Sequence, residues 1–455
     1  MANISDSTTT ETKTVGEDGS VTTTWKRNGK THRDNDLPAV VLKKGNICRC
    51  EWFVDGKNHR NNGKPNVIET KDGILILEEW LFDNKLHRDN GPASVRFDEN
   101  GNIKREMHYK NGMVHREDGP AFTEFYENKN KKIEAYHENG NFKDRGDLPN
   151  LIGYNENCTI CGEEWLINER IHHRSNGPAK KSYDKNGNLI REIYIKNNKI
   201  HREDGPAVID YKNDRKIKEE YYENDNPKDR GDLPNNIVYN RDGALEIKLW
   251  QDIDNYVHRI GGPAKEIYYN TGELRVAAYF ERGRVHRIDG PAIVEFEKNG
   301  DVCSTSYLVN DIPDNKGDAT YIKFYPNGQK KMEEWEIELT VVHRDNGPAR
   351  KCYYPNGTLE REEWLLNNKT TRNNGPALTF WYPNGNIKLE KYYTDDIQHR
   401  DNDLPSVVEY FEHIPGRVKR HDWVEDEGYY RVNSLPTIVH FDENGNQTLA
   451  EYDGG

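Results

Sequence analysis

The chain has little cysteine and no long apolar segment. Its 455 residues include six cysteines, too few and too irregularly spaced for a disulfide framework, so we expect a reducing compartment. Apolar runs are no longer than the short stretch from Val276 to Phe280. The start at Met1 has no basic region followed by an apolar core. We therefore expect neither secretion nor a transmembrane segment.

Positive charge and hydrophobic residues are also scarce. Asp and Glu number 78 against 65 Lys and Arg, which gives a net charge of −13, and the two signs are interspersed along the chain. This balance argues against a nucleic-acid partner. Hydrophobic residues make up 33% and the mean hydropathy is −1.06, too low for several globular cores. The composition suits a thin sheet with one aromatic face and one wet face.

A phrase whose clearest form is His-Arg-x-Asp-Gly-Pro-Ala occurs fifteen times. It is nearly unaltered at residues 87–93, 115–121, 201–207, 286–292 and 343–349. The 398 residues from Arg33 to Arg431 contain 14 steps, an average of 28.4 residues. Such a period indicates a repeat protein. We predict a single repeat domain over residues 19–455, preceded by a flexible lead-in over residues 1–18.

Each repeat contains two strand signals. After Pro, every second residue is apolar, as in Ala93, Val95 and Phe97, which is the alternation typical of a strand. The fifth residue after Pro is aromatic in 12 of 15 repeats, and we call this the first aromatic register. An Asn-Gly turn such as Asn100-Gly101 often follows, and a second strand then carries an aromatic eight or nine residues before the next Arg. The pattern predicts an all-β fold, almost free of helix. We expect an elongated antiparallel β-meander ribbon or superhelix of about 15 two-stranded repeats of about 28 residues.

Two sets of residues define the candidate site. In the phrase, Gly should permit a turn conformation, Pro should open the strand, and Arg should bond to the loop. These predicted structural residues are Arg88, Gly91, Pro92, Arg116, Gly119, Pro120, Arg202, Gly205, Pro206, Arg287, Gly290, Pro291, Arg344, Gly347 and Pro348. The second set should form an aromatic ladder that packs across strands on one face, and comprises Trp52, Trp80, Phe97, Trp165, Tyr211, Trp250, Phe296, Trp335, Trp364 and Trp423.

The residues that suggest chemistry recur with the repeat. Ten of the sixteen histidines precede the repeat Arg, but equivalent residues should lie about 9.6 Å apart, with no third ligand nearby, so we predict no metal site. The pairs Cys48/Cys50 and Cys158/Cys161 are four repeats apart and cannot share one zinc ion. An active site needs one constellation of different groups, whereas these groups repeat in register. We predict no catalytic centre and no cofactor.

With its Asn-Gly turns, two aromatic registers and units such as residues 119–126, the chain resembles variant MORN-type repeat arrays. Such arrays are found in giant DNA viruses of amoebae, in protists and in some bacteria. The likeness covers residues 19–455 and implies antiparallel β-hairpin ribbons that serve as scaffolds or interaction surfaces. The abundant Lys, Asn, Ile and Tyr suit an AT-rich genome, which favours a giant virus as the source.

These observations predict a non-enzymatic scaffold that mediates protein–protein interaction or assembly. A protein partner is expected, and self-association is left open. The alternative is a peripheral membrane or ligand-binding module that uses the aromatic rows as pockets. We expect an intracellular location, in the host cytoplasm or the virion if the protein is viral.

Overall fold

The computed structural model describes residues 9–60, 63–168, 171–425, 428–429, 431 and 435–452. Among these residues there is no helix, and short antiparallel strands alternate with tight turns. The all-β prediction is confirmed. The chain divides into two compact units, residues 1–226 and 227–455, which are described in turn.

In the first unit, each strand of the main sheet pairs antiparallel with the sheet strands that precede and follow it in the chain. This is the predicted meander. The sheet strands are Thr9–Val15, Val21–Arg27, Val40–Lys44, Ile47–Glu51, Val67–Lys71, Ile74–Glu79, Ser94–Phe97, Ile103–Met107, Phe122–Phe125, Lys131–Ala135, Leu151–Tyr154, Ile160–Glu164, Lys180–Tyr183, Leu189–Ile193, Val208–Lys212 and Arg215–Glu220.

Two-residue strands in the same unit form small hairpins after the second sheet strand of a repeat. They pair as Phe53–Val54 with Lys57–Asn58, Leu81–Phe82 with Lys85–Leu86, Tyr109–Lys110 with Met113–Val114, His137–Glu138 with Asn141–Phe142, Leu166–Ile167 with Ile171–His172, and Ile195–Lys196 with Lys199–Ile200. Lys30–Thr31 pairs with the end of Val21–Arg27. The remaining short strands near residue 226 are Tyr222–Glu223 and Asn226–Pro227.

The second unit repeats this plan. Its sheet strands pair in chain order and are Asn236–Tyr239, Leu245–Leu249, Lys265–Tyr268, Leu274–Ala278, Ile293–Phe296, Val302–Ser306, Tyr321–Phe324, Lys330–Glu334, Arg350–Tyr353, Leu359–Glu363, Leu378–Trp381, Ile387–Lys391, Val407–Tyr410, Val418–Asp422, Ile438–Phe441 and Gln447–Glu451. The hairpins pair Phe280–Glu281 with Arg284–Val285, Leu308–Val309 with Ile312–Pro313, Glu336–Glu338 with Val341–Val342, Leu365–Leu366 with Lys369–Thr370, Tyr393–Thr394 with Ile397–Gln398, and Val424–Glu425 with Gly428–Tyr429.

A repeat thus places two strands in the main sheet, as predicted, and adds a small hairpin that the sequence pattern did not indicate. The aromatic residue eight or nine residues before the next Arg, here called the second-register aromatic residue, lies where the chain passes from sheet to hairpin. The Trp80 amide donates to Ala93 O at 2.8 Å within the sheet, and the Trp80 carbonyl accepts from the His87 amide at 2.9 Å within the hairpin. The predicted second strand is therefore divided at this residue.

The two turns of a repeat have different geometry. In the turn between sheet strands, Gly101 has φ 78° and Asn100 is not in the left-handed region, while the Asp98 carboxylate accepts the amides of Asn100 and Asn102. In the small hairpin, Asp83 and Asn84 have φ 48° and 62°. Two consecutive positive φ values are the mark of a type I′ turn. The Asn-Gly turns between sheet strands lie where we predicted them. The two consecutive positive φ values occur instead in the turn of the small hairpin.

The N-terminal segment that we predicted to be a flexible lead-in contains a strand. Thr9–Val15 pairs residue by residue with Val21–Arg27. Its side chains are exposed, but Thr and Val are β-branched and favour extended backbone. Residues 1–8 lie outside the described part of the chain.

The alanine of the phrase forms the core of the repeat. Ala93 is 0% exposed, its amide donates to Met107 O at 2.8 Å, and its carbonyl accepts from the Trp80 amide. The same residue therefore bonds to strands on both sides. Ala121, Ala207, Ala292 and Ala349 are also 0% exposed, and a larger side chain at such a packed position would require its neighbours to move.

Candidate interaction surface

The repeat arginine lies flat over the second-register aromatic ring. In these stacks the guanidinium carbon is 3.5 to 4.3 Å from the ring centroid, a distance at which cation–π attraction is effective. The pairs are Arg33–Trp25, Arg60–Trp52, Arg88–Trp80, Arg145–Tyr136, Arg174–Trp165, Arg202–Tyr194, Arg259–Trp250, Arg287–Tyr279, Arg344–Trp335, Arg372–Trp364, Arg400–Tyr392 and Arg431–Trp423.

Glycine and proline of the phrase hold the other side of the guanidinium. Arg344 Nη1 donates to Pro348 O at 3.3 Å, and the equivalent bonds join Arg88 to Pro92, Arg116 to Pro120, Arg202 to Pro206 and Arg287 to Pro291. A β-carbon added to Gly347 would lie 3.0 Å from Arg344 Cζ. The guanidinium therefore lies between an aromatic ring and a glycine. Because this glycine has no β-carbon, it leaves room for the arginine.

This finding changes the explanation for the glycine. We predicted that it permits a turn conformation, and Gly91 and Gly205 do have φ values of 128° and 135°. Gly119, Gly290 and Gly347 are not in the left-handed region, yet an added β-carbon would lie 2.9 to 3.1 Å from the Arg Cζ at each of them. Close approach of the arginine is the requirement that all five positions share.

The histidine before the arginine links successive repeats. His87 Nδ1 accepts from the Asn111 amide at 3.1 Å, and the same bond joins Asn139 to His115 and Asn367 to His343. The other ring nitrogen faces a carboxylate of its own loop, for example His343 Nε2 at 3.0 Å from Asp345 Oδ1. Sequence reasoning missed this role. The signal was the constant 24-residue separation between the His and the turn residue that donates to it.

The aromatic ladder has a different construction from the one we predicted. No ring–ring contact joins two of its ten members within the described part of the chain. The second-strand rings stack with arginine instead, and Trp52, Trp165 and Trp250 are only 8, 6 and 7% exposed. The indole N–H of Trp250 donates to Asp232 O at 3.2 Å, which connects the ring to the preceding loop.

First-strand tyrosines bond to glutamates instead of packing on rings. Tyr211 OH donates to Glu192 Oε2 at 2.8 Å, and Tyr353 OH donates to Glu333 Oε2 at 2.6 Å. Burial raises the pKa of Tyr353, and the bond to the carboxylate raises it further. Glu333 is 9% exposed and also accepts from Lys330 Nζ at 2.5 Å. The first-register phenylalanines Phe97 and Phe296 are half-buried.

The loops that contain the His-Arg-x-Asp-Gly-Pro-Ala phrase are here called phrase loops. Open clefts separate neighbouring phrase loops in both units. A cleft of about 640 Å³ lies between the loops of Arg145 and Arg174, and one of about 460 Å³ lies between those of Arg174 and Arg202. A third, of about 310 Å³, lies between the loops of Arg344 and Arg372. Exposed carboxylates lie on these loops, including Asp147 at 88% and Asp345 at 80% side-chain exposure. The repeat therefore presents the same polar, acid-bearing recess more than once.

Within the described residues, no group of three or more His, Cys, Asp or Glu side chains is placed to hold a metal ion. The six cysteines, Cys48, Cys50, Cys158, Cys161, Cys303 and Cys352, are free thiols. No helix capable of crossing a bilayer occurs in the part of the chain that the structure describes.

Three segments of the chain match the family described as MORN repeat variant, at residues 94–111, 179–197 and 377–395. Each begins at or just after the phrase alanine and runs through both sheet strands into the small hairpin. These three segments are thus similar to MORN repeat variants, a family that is generally non-enzymatic and suggests a repeat scaffold. The resemblance to MORN-type arrays is confirmed at these positions.

Comparison with curated proteins gives no match. Among solved structures, matches include chains from the crystal structures of TcdB2-TccC3 and of TcdB2-TccC3-Cdc42, each 10% identical to this chain. The matches cover 97% of this chain but only 25% and 24% of those chains, so this chain spans about a quarter of their length. The TM-scores are 0.14 and 0.13, and neither likeness supports a conclusion about fold or function.

Proposed function

We propose that the chain is a non-enzymatic scaffold that binds a protein partner across several consecutive repeats. The observation that carries this proposal is the recurrence of the cleft between phrase loops, with the same arginine stack in its wall and carboxylates on its loops. Repetition suits avidity, because several weak contacts to one partner act together. A catalytic site would instead need one preorganised set of different groups.

The exposed carboxylates favour a partner with Lys or Arg on its contacting surface. The chain itself shows this chemistry, since Asp36 accepts from Arg60 Nε at 2.7 Å and from Lys64 Nζ at 2.9 Å. The Asp345 carboxylate, by contrast, is 80% exposed and lies beside the His343 ring of its own loop, 3.0 Å from Nε2. The net charge of −13 would also speed the approach of a basic partner at low salt.

The alternative of a membrane or ligand-binding module based on aromatic rows has less support. One face of each stacked ring is covered by a guanidinium, as at Trp250, which is 7% exposed. We expect no binding in a liposome and glycan screen. We also propose an intracellular setting, in a host cytoplasm or virion if the protein is viral, and the six free thiols support it.

Partner capture from the native source, followed by affinity measurements, tests the scaffold function. Asp147, Asp345 and Glu203, whose side chain is 70% exposed, each line one of the three clefts. Asp147→Asn, Glu203→Gln and Asp345→Asn should each weaken binding slightly, and their combination should weaken it by the product of the single effects. Glu127→Gln, at an exposed turn residue outside the clefts, is the control. Removal of two terminal repeats should also lower affinity gradually. A single substitution that abolished binding or a turnover activity would contradict the proposal.

A further inference from the structure

An open cavity of about 630 Å³ lies between the main sheet and the small hairpins of the first unit. Sheet side chains form one wall and hairpin side chains form the other. The lining residues are Met107, Val114, Phe122, Ile133, Ala135, His137, Phe142, Leu151, Glu164, Leu166 and His172. Eight of these eleven are apolar, and small-molecule sites in proteins typically combine a mostly apolar lining with a few polar groups.

The same layer is closed elsewhere. In the second unit Val342, Ala349 and Leu365 form a buried cluster at 6, 0 and 7% exposure. Val342 immediately precedes the phrase histidine, as Val114 does in the first unit, where Val114 is half-buried and lines the cavity. The repeat can therefore fill this space, and the first unit leaves it open.

The polar wall of the cavity carries charges that are matched within the protein. Glu164 Oε2 is 2.9 Å from His172 Nε2, and Glu164 Oε1 is 3.0 Å from Lys180 Nζ. The hydrogen bond from His172 is the main cause that lowers the pKa of Glu164 to about 2, with Lys180 assisting and burial opposing. Glu164 is therefore a carboxylate with both oxygens occupied, and it offers no unmatched charge to a ligand.

We propose that this cavity binds an uncharged, largely apolar small molecule. Its volume lies within the range of small-ligand sites, and its apolar lining makes entry of an apolar body favourable relative to water. His172 lines the cavity, and because its Nε2 donates to Glu164, its Nδ1 can accept a hydrogen bond from a ligand hydroxyl. This site is separate from the clefts between phrase loops, and it does not depend on the scaffold function.

Methionine methyl NMR on the full chain tests the site, because the protein contains four methionines. Met107 lines the cavity, whereas Met332 lies in a sheet strand of the second unit. Titration with 1-octanol should shift the Met107 methyl signal saturably and leave that of Met332 unchanged. Octanoate and octylamine, which have the same chain length, should bind about tenfold or more weakly, since each would bring an unmatched charge into the cavity.

Two variants that fill the cavity from opposite walls complete the test. Ala135→Leu and Val114→Phe should each weaken octanol binding about tenfold or more, and Ile190→Phe, at an exposed position outside the cavity, should not. Circular dichroism identifies a variant that fails to fold. In that case the octanol affinity of the other, folded variant tests the site. The proposal is overturned if Met107 does not move saturably, if Met332 moves with it, if both folded variants still bind, or if a charged analogue binds more tightly than octanol.

Discussion

The guanidinium carbon of Arg88 lies 3.9 Å from the centroid of the Trp80 ring, eight residues earlier in the chain. The stack closes the hairpin within one repeat, because His87 also bonds back to the Trp80 carbonyl. The Trp80 indole N–H donates to Gly63 O at 2.8 Å and so connects the stack to the preceding loop. One aromatic residue therefore stabilises both the repeat and its junction with the preceding repeat.

Substitution of the stacked arginine should destabilise the protein. We expect Arg88→Ala to lower the free energy of unfolding by about 1.5–3 kcal/mol, since it removes the stack on Trp80 and the bond to Pro92 O. Arg88→Lys should recover only part of this, because an ammonium cannot both stack flat and donate sideways. Urea unfolding measures both. Arg96→Ala, at an exposed sheet position, should change stability by less than about 0.5 kcal/mol.

The glycine of the phrase should be intolerant of even one methyl group. Gly347→Ala would place a carbon 3.0 Å from Arg344 Cζ, so the guanidinium would have to shift by a few tenths of an ångström against the Trp335 ring. We expect a loss of about 1–2 kcal/mol. In a double-mutant cycle, the effect of Gly347→Ala should largely disappear when Arg344 is already alanine. An equal cost in both backgrounds would show that backbone conformation, and not the arginine, requires this glycine.

Buried tryptophans should contribute through both the ring and the indole N–H. Trp250 is 7% exposed, so Trp250→Ala should cost about 3–5 kcal/mol. Trp250→Phe keeps a ring beneath Arg259 but loses the hydrogen bond to Asp232 O, and should cost about 1–2 kcal/mol. Denaturant midpoints should rank wild type, Phe and Ala in that order. A Phe variant as unstable as Ala would contradict the role assigned to the ring.

Acid should weaken the first unit through Glu164. Its pKa in the folded protein is about 2, below the ordinary 4.5, so its stabilising effect is present above pH 4.5 and is lost as the pH falls towards 2. Because the side chain is partly exposed, we expect Glu164→Gln to cost on the order of 1 kcal/mol at pH 6 and almost nothing at pH 2. Thermal unfolding at both pH values measures this. Glu127→Gln, at an exposed turn residue, should change stability by less than about 0.5 kcal/mol at either pH.

Alkali should act through the buried tyrosines. Burial and then the bond to Glu333 raise the pKa of Tyr353 above its ordinary value of 10. The neutral phenol is therefore favoured by folding, and its contribution is present below pH 10 and lost as the pH rises through the higher folded value. We expect Tyr353→Phe to cost about 1–2 kcal/mol at pH 7. Ultraviolet titration of the folded protein should show one fewer late-titrating phenol in this variant than in the wild type.

The sequence predicted the sheet well because the strand signals are local. Alternation after Pro92 and the Asn100-Gly101 turn fix two adjacent antiparallel strands, which the structure contains. The small hairpin was missed because its strands have only two residues each, such as Leu81–Phe82 with Lys85–Leu86, and no period can be read from so few positions. Its type I′ turn is formed by Asp83 and Asn84, whose residue types tolerate positive φ.

The candidate site was predictable in composition but not in geometry. The pattern identified Arg344, Gly347, Pro348 and the aromatic registers. It did not show that Arg344 lies between Trp335 and Gly347, because that arrangement depends on the chain folding back across the small hairpin. The ladder prediction assumed that aromatic residues of the two registers would pack on one another across strands, whereas the second-strand rings stack with arginines of the phrase.

At the hairpin tips, the Gly112 amide donates to Leu86 O and the Gly140 amide donates to Val114 O, both within 2.9 Å. Each small hairpin thus presents a backbone carbonyl that accepts a hydrogen bond from the hairpin tip of the following repeat. A gene that gains or loses one complete period would encode a chain in which every such donor again meets a carbonyl of the same kind. Repeat number in this protein can therefore change by unequal recombination without a matching change in sequence elsewhere.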